Sequence, residues 1–213
     1  MILKLESRGQ NVTKRSIKLS LTYLYNKLEN MNSKEQYAYI QNIFFQFQIR
    51  PKINIDEIFK DIPGKQSAGK NPLGYLLMHL RPEQVDELIP KYLRDLIGTD
   101  TFSTQDRIIM DTIYSATDCI TNMDILFYFP YKTSAPEMLS VFQFGVGKYS
   151  EWSFLKINPY TLIPAMFRHL YKYFNISRTD EETGLSHLAH AECNKRMIEL
   201  IINNYNNEVN HES

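Results

Sequence analysis

Two histidines spaced three residues apart, in the stretch HLAHAECN, are the first candidates for chemistry. With a helical step of about 100° per residue, His187, His190 and Asn194 fall within about 60° of one another. Ile198 and Ile201 share that arc, so the spacing predicts polar side chains on the apolar side of a helix. An unsatisfied buried polar group costs roughly 1–3 kcal/mol, so these side chains indicate bonded core residues or a built site.

Glu192 stands beside this group in the printed sequence. Helical spacing places it instead on the solvated face, which holds Lys195, Arg196 and Glu199. We therefore assign Glu192 no role. The structural alternative for the two histidines is a core position, with each ring bonded to backbone or to a tyrosine hydroxyl.

An acidic turn precedes the histidine helix and contains Asp180, Glu181 and Glu182, followed by Gly184. Carboxylates at a helix start complement the macrodipole, which would make this an ordinary solvated loop. Oxygen ligands of this type also bind a hard cation such as Mg²⁺ together with substrate phosphates. The residue types alone leave both interpretations open.

The segment FGVGKYSEW combines two close glycines, a lysine and two aromatic side chains. Gly145 and Gly147 predict a tight turn, Lys148 offers a charge for phosphate, and Tyr149 or Trp152 can stack on a base. The segment lacks the spacing of a P-loop or of a dinucleotide-binding loop. An ordinary turn is the alternative.

A helix predicted over 159–175 carries an Arg-His pair, with Asn158 as its cap and Pro159 at its first position. His169 flanks the apolar face, and Arg168 lies farther round beside Lys172. The predicted buried face consists of Leu162, Ile163, Met166, Phe167, Leu170 and Phe174.

Together these segments resemble one family. FGVGKYSEW, RHLYKYF and DEETGLSHLAHAECN are similar to the motifs FGAxKYGxxNW, RHLxA and D-x-ETG-x-x-HLAHAxxN of the phage-associated dATP/dGTP diphosphohydrolase N-terminal family. The resemblance covers roughly residues 137–202, and LGYLLMHLRPEQVDEL at 73–88 is similar to the family's opening element. Residues 89–136 would then be an insertion.

This resemblance implies a helical bundle that converts a purine deoxynucleoside triphosphate to monophosphate and diphosphate. The family is related to all-α NTP pyrophosphatases of MazG type, which bind magnesium through ExxE on one helix and ExxD on the next. This chain departs from that pattern, because RHLYKY and HLAH stand in those two places. The resemblance therefore supports the fold more directly than the mechanism.

On this basis we expect a nucleotide pyrophosphohydrolase in which Mg²⁺ or Mn²⁺ bridges the phosphates and water attacks the α-phosphorus. The expected metal ligands are Asp180, Glu182, His187 and His190, and the expected catalytic residues are His169, Glu182, His187 and His190. The expected substrate-binding residues are Lys148, Tyr149, Trp152, Arg168 and Asn194. Because neutral histidine is the liganding form, activity should fall as the pH drops through the histidine range.

Two other functions remain open. The missing acidic quartet favours a non-catalytic module that binds a nucleotide or a nucleotide-derived signal, or an N-terminal hairpin that docks on another protein. A metal-dependent phosphohydrolase of HD type is less favoured, because none of the five histidines is followed by aspartate.

Composition narrows the classes of partner. Twenty-four Lys and Arg balance 24 Asp and Glu over 213 residues, which argues against a polymeric nucleic acid but leaves room for a single purine nucleotide. No apolar run reaches the length of a membrane span, so we expect no membrane partner. Cys119 and Cys193 form no CxxC motif, which favours a reducing cytoplasm. The resemblance implies a homo-oligomer.

The elements that position these residues repeat their apolar side chains at helical spacing, which predicts an all-α fold. Further helices are predicted over 13–31 and 35–47, which form a hairpin, from 82 onward, and over 103–127. A linker rich in Pro, Gly, Ser and Lys predicts a boundary near residue 65. The predicted units are an N-terminal extension, 1–65, and a main domain, 66–213, with a frayed tail from about 204.

Overall fold

A computed structural model of the chain describes residues 19–61, 65–89 and 133–211. Within these ranges the protein is helical and forms no β-strand, so the predicted all-α fold is confirmed. The α-helices are α1 (Leu19–Glu29), α2 (Ser33–Gln46), α3 (Asp56–Phe59), α4 (Leu73–Leu77), α5 (Pro82–Leu88), α6 (Ala135–Lys148), α7 (Leu162–Asn175) and α8 (His187–His211). The helix predicted over 103–127 lies outside the described residues. No helix in the described ranges has both the length and the apolarity needed to cross a bilayer.

The first two helices are joined by a short, well-capped turn. The Asn32 side chain accepts hydrogen bonds from the backbone N–H groups of Lys34 and Glu35, and the Glu35 carboxylate accepts the Asn32 N–H at 2.9 Å. This capping box fixes the start of α2. Gln36 then donates from Nε2 to the Leu28 carbonyl at 2.8 Å, which ties α2 back to α1 as the predicted hairpin requires.

One hydrophobic core connects the N-terminal helices to the C-terminal ones. It contains buried side chains from α1, α2, α4, α7 and α8, among them Leu24, Ile40, Leu76, Phe167 and Ile198. Helix α7 packs along α8 on one side and against α4 on another. Helices on both sides of the linker therefore share a core, while the domain boundary near residue 65 stays a prediction.

The two glycines of FGVGKYSEW lie inside α6, so the tight turn expected at Gly145 and Gly147 is wrong. Ser134 caps this helix by accepting the Glu137 N–H, and Pro136 stands in its first turn. The helix continues through both glycines to Lys148, because glycine permits a turn without requiring one. Lys148 is thus the last residue of a helix and not part of a loop.

The segment before α7 begins with a 3₁₀ turn over Pro159–Thr161. The Asn158 side chain accepts the Tyr160 N–H at 3.1 Å, which confirms the predicted cap. The predicted apolar face of α7 is buried from Leu162 to Leu170, and Phe174 packs against the core at its edge. Helix α8 continues to His211, beyond the residue at which fraying was expected.

His79 makes the fold sensitive to acid. Its Nε2 accepts the Lys52 N–H at 2.9 Å and its Nδ1 lies 2.9 Å from the Tyr75 carbonyl, so both ring nitrogens are used by the neutral ring. Burial lowers its pKa, so in mildly acidic solution the unfolded chain binds a proton that the folded chain does not. We expect the free energy of unfolding to fall as the pH drops below about 6.5, the usual histidine pKa.

Urea unfolding between pH 7 and pH 5 measures this dependence. The His79→Gln variant keeps an acceptor and a donor but has no titratable ring, so its stability should fall less steeply over the same interval. Equal slopes for the two proteins would contradict the assignment.

Candidate metal centre

His169, Asp180 and His187 bring three ligand atoms together. The Nδ1 atoms of His169 and His187 lie 2.9 Å apart, and Asp180 Oδ2 lies 3.8 Å from His187 Nδ1. All three ligand atoms fall within 4.8 Å of one another, a spacing that suits one metal ion. His169 comes from α7, His187 begins α8, and Asp180 comes from the turn between these helices. We call these residues the triad.

The turn before α8 is closed by its own hydrogen bonds, which place Asp180. Its N–H donates to the Leu185 carbonyl and its carbonyl accepts the Gly184 N–H, both at 2.8 Å. Gly184 has a φ of 70°, a left-handed conformation that glycine adopts without strain. Asp180 Oδ1 accepts the N–H groups of Glu182 and Thr183 and the Thr183 hydroxyl, each at 3.2 Å. Asp180 is half-buried as a result.

His190 and Asn194 lie next to the triad on the same face of α8, and both are buried as the helical spacing predicts. The His190 ring stacks on the His169 ring with centroids 4.6 Å apart and 12° between the planes. His190 Nε2 lies 2.8 Å from the Thr183 hydroxyl and 3.9 Å from Asp180 Oδ1. Asn194 donates to the His190 carbonyl at 2.8 Å. These contacts hold the rings in place.

Burial keeps the three histidines neutral. It lowers the pKa of His169 well below the usual value, and the Arg168 charge lowers it further. Burial also lowers the pKa values of His187 and His190, against the opposing charge of Asp180. For Asp180 itself burial raises the pKa, but the electrostatic interaction with His190 and the Thr183 hydrogen bonds outweigh that effect and the pKa is lowered. Neutral imidazoles beside an ionised carboxylate are the protonation states that bind a metal.

A cleft of about 950 Å³ opens beside the triad, within the size range of small-molecule sites. His169, Asp180 and His190 line it, so two triad residues face the space where a ligand would bind. Its other walls carry cationic and aromatic side chains, namely Lys65, Lys70, Lys148, Arg168, Lys172, Phe142, Phe144, Tyr149, Trp152 and Phe154.

The structure separates the predicted site residues into two groups. His169, His187, His190, Asp180, Arg168 and Asn194 come together at or beside the triad. Glu182 does not join the triad, because its Oε1 accepts from Lys148 Nζ at 2.5 Å and its side chain is half exposed. A predicted metal ligand and a predicted phosphate-binding lysine thus bind each other.

The predicted aromatic residues stand at the edge of the cleft. Trp152 is 58% exposed and has a φ of 58°, and its ring centroid lies 5.9 Å from that of Phe154. The Tyr149 hydroxyl accepts the Gln66 N–H at 3.2 Å. Both side chains line the cleft, where a base could stack on them.

Sequence reasoning missed two lysines and a structural glutamate. Lys65 and Lys70 line the cleft, although the sequence predicts a linker in the stretch GKQSAGK that contains them. The sequence feature that could have identified this part of the site is the pair of lysines on either side of Ser and Gly. Glu192, which received no role, accepts from the Thr133 N–H and hydroxyl, both at 2.6 Å, and so anchors the chain just before α6.

The fold and the triad define an all-α protein with a candidate metal centre in the wall of a nucleotide-sized cleft. Residues 121–210 match the family model described as dATP/dGTP diphosphohydrolase, N-terminal, which confirms the resemblance inferred from the motifs. No curated protein and no solved structure matches the chain.

The matched range differs from the predicted one. It starts within the segment expected to be an insertion, and residues 73–88 lie outside it. The whole triad lies inside the matched range, whereas Lys65 and Lys70 lie outside.

Proposed function

We propose that this protein hydrolyses a purine deoxynucleoside triphosphate to monophosphate and diphosphate with a divalent metal ion. The observation that carries the proposal is the triad, whose ligand atoms lie within 4.8 Å of one another beside a cleft of about 950 Å³. The name of the matching family, which refers to dATP and dGTP, supports this substrate class. The cationic and aromatic cleft walls suit phosphates and a base respectively.

The donors of the triad fit a divalent ion. In the sequence resemblance, RHLYKY and HLAH stand where relatives carry ExxE and ExxD, and these two segments supply His169 and His187. Two imidazoles and one carboxylate suit a transition-metal ion better than a cation that prefers oxygen ligands only. We therefore propose Mn²⁺ ahead of Mg²⁺. Such an ion neutralises phosphate charge and lowers the pKa of bound water.

The remaining residues act on the substrate in this proposal. Arg168 and Lys148 contact the phosphates, and Tyr149 or Trp152 stacks on the base. Asn194 also lines the cleft. We assign His190 to orient the attacking water, because its ring is held neutral beside the triad and the hydrogen-bond contact of its Nε2 with the Thr183 hydroxyl fixes the ring's position. Glu182 holds Lys148 at the rim of the cleft.

Incubation with each of the four dNTPs and a panel of Mn²⁺, Mg²⁺ and Zn²⁺, followed by chromatography, tests the proposal. We expect dAMP or dGMP together with diphosphate, formed with turnover. Stoichiometric retention of intact nucleotide would contradict the enzyme and support a binding module instead. Gel filtration of the same samples tests the homo-oligomer that the resemblance implies.

Replacing Asp180 with asparagine should weaken Mn²⁺ binding by about tenfold or more, since even supporting groups around a metal site cost 10–100-fold. The substitution removes the one carboxylate of the triad while keeping the side-chain shape. Glu181→Gln is the matched control, because that exposed neighbour carries the same charge outside the triad. Isothermal titration with Mn²⁺ measures both variants. Equal weakening by the two substitutions would mean that only general charge matters.

A further inference from the structure

A second charged region of the cleft lies beside the triad and is formed by Lys65, Lys70 and Arg168. The lysines come from the loop over 65–70, inside the predicted linker, and the arginine comes from α7. Within the residues that the structure describes, none of these three cations has a carboxylate oxygen within 4.0 Å. Lys65 donates one hydrogen bond to the Thr161 carbonyl, which leaves its other N–H groups for a ligand.

The three cations act on one another. Burial, together with the charges of Arg168 and Lys70, lowers the pKa of Lys65 to about 7. Burial likewise lowers the pKa of Lys70, helped by Arg168 and Lys148. Like charges gathered at a poorly solvated wall destabilise each other, and a bound anion would remove that penalty.

Ser67 lies in the same loop but does not line the cleft. Its hydroxyl is buried and has no hydrogen-bond partner in the described part of the chain. The recess that Ser67 lines with Lys65, Lys70 and Arg168 has a volume of about 10 Å³, which suits one water molecule and not a phosphate.

The loop that carries Ser67 is held in shape by Asp61. Asp61 Oδ1 accepts the N–H groups of Ser67 and Ala68 at 2.7 and 2.9 Å, and Gly69 has a φ of 72°, a left-handed conformation. The two lysines are therefore presented by a preorganised loop, which lowers the entropic cost of binding an anion.

We propose that Lys65, Lys70 and Arg168 bind the phosphate tail of the nucleotide, and this proposal rests on the proposed function. Lys70 lies closer to the triad than Lys65 does, because the charge of Lys70 acts on His169 and the charge of Asp180 acts on Lys70. Lys65 stands farther away, and its charged neighbours are Arg168, Lys70 and Glu57. The terminal phosphates accordingly extend from the triad toward Lys65, which holds the diphosphate that leaves.

Calorimetric titration of the full chain with inorganic tripolyphosphate, without divalent metal, tests this site. We expect Lys65→Met and Lys70→Met each to weaken binding by about tenfold or more, since a hydrogen bond to a charged group contributes roughly 1.5–3 kcal/mol. Methionine keeps the apolar stem of lysine, and Lys65→Arg keeps the charge and should retain binding. Lys60→Met is the matched control, because Lys60 is exposed and pairs with Asp56 at 3.7 Å.

A wild-type chain that does not bind tripolyphosphate, or methionine variants of Lys65 and Lys70 that bind it as the wild type does, would overturn the proposal. Proton uptake on binding adds a measurement that would not change if Lys65 had a purely structural role. At pH 8 a bound anion should return a proton to Lys65, so wild type should take up more protons on binding than Lys65→Met. Titration in two buffers of different ionisation enthalpy measures that difference, and equal uptake would contradict direct contact with Lys65.

These results are separable from the proposed function. Tripolyphosphate binding that the lysine variants lose, in a protein that hydrolyses no nucleotide, would support the anion site and refute the enzyme. Metal-dependent hydrolysis with an unchanged KM in both lysine variants would support the enzyme and refute the anion site.

Discussion

Replacing His169 with alanine should reduce metal-dependent hydrolysis of dATP or dGTP on the order of a hundredfold or more. The substitution removes a triad nitrogen that lies 2.9 Å from the corresponding nitrogen of His187. Mutation of a group that merely supports a metal ligand already costs about 10–100-fold, so loss of a ligand should cost at least as much. His169 lines the cleft and is half-buried, so its removal should disturb packing less than removal of the buried His187.

His79→Ala is the matched control for His169→Ala. His79 is also half-buried, but its ring nitrogens contact Lys52 and Tyr75 in the N-terminal half. We expect this control to lose stability and to keep Mn²⁺ affinity and kcat/KM. Both quantities are measured for each variant, together with a thermal melt that establishes folding. A folded His169→Ala protein with wild-type Mn²⁺ affinity and turnover would refute the triad as a metal site.

Replacing Gly74 with alanine should destabilise the fold by about 2–3 kcal/mol, the upper part of the usual range for overpacking. A Cβ at this position would lie 2.7 Å from Pro164 Cα, 2.9 Å from the Pro164 carbonyl oxygen and 3.0 Å from Phe167 Cβ. Two of these atoms belong to the backbone, so no rotation of a side chain relieves the clash. Helices α4 and α7 must separate instead. Urea unfolding measures the loss as a lower midpoint.

The matched control for Gly74→Ala is Gly145→Ala. Gly145 also lies in a helix, but a Cβ there meets nothing within 4 Å. Alanine should therefore stabilise the protein by about 0.5–1 kcal/mol through its better helix propensity. Since α7 also carries Arg168 and His169, Gly74→Ala should in addition weaken Mn²⁺ binding, whereas Gly145→Ala should not. Equal midpoints for the two variants would contradict the close approach of α4 and α7.

The orientation of the histidine helix was predictable because it depends on one element only. A helical step of about 100° sets which residues of α8 share a face, so the burial of His187, His190 and Asn194 followed from their spacing. The cap at Asn158 and the helix start at Pro82 are local in the same sense. The turn predicted from residue type at Gly145 and Gly147 was wrong, because glycine permits a turn without requiring one. Helix α6 continues through both residues.

The acidic turn illustrates what local reasoning cannot decide. Asp180 and Glu182 are two residues apart and carry the same charged group, yet Asp180 joins the triad and Glu182 pairs with Lys148. Which of the two carboxylates joins the triad depends on how the turn closes against α8 and on where α6 ends. Both are properties of packing between elements.

Local sequence patterns were sufficient to predict the all-α class, the inward face of α8 and the family motifs over the last third of the chain. Only the tertiary structure brought His169 against His187, because the packing of α7 along α8 sets that distance. It also brought Lys65 to Thr161, 96 positions away in the chain. Spacing along the chain specifies directions around one helix, whereas a site made from several elements exists only once a shared core has fixed their relative positions.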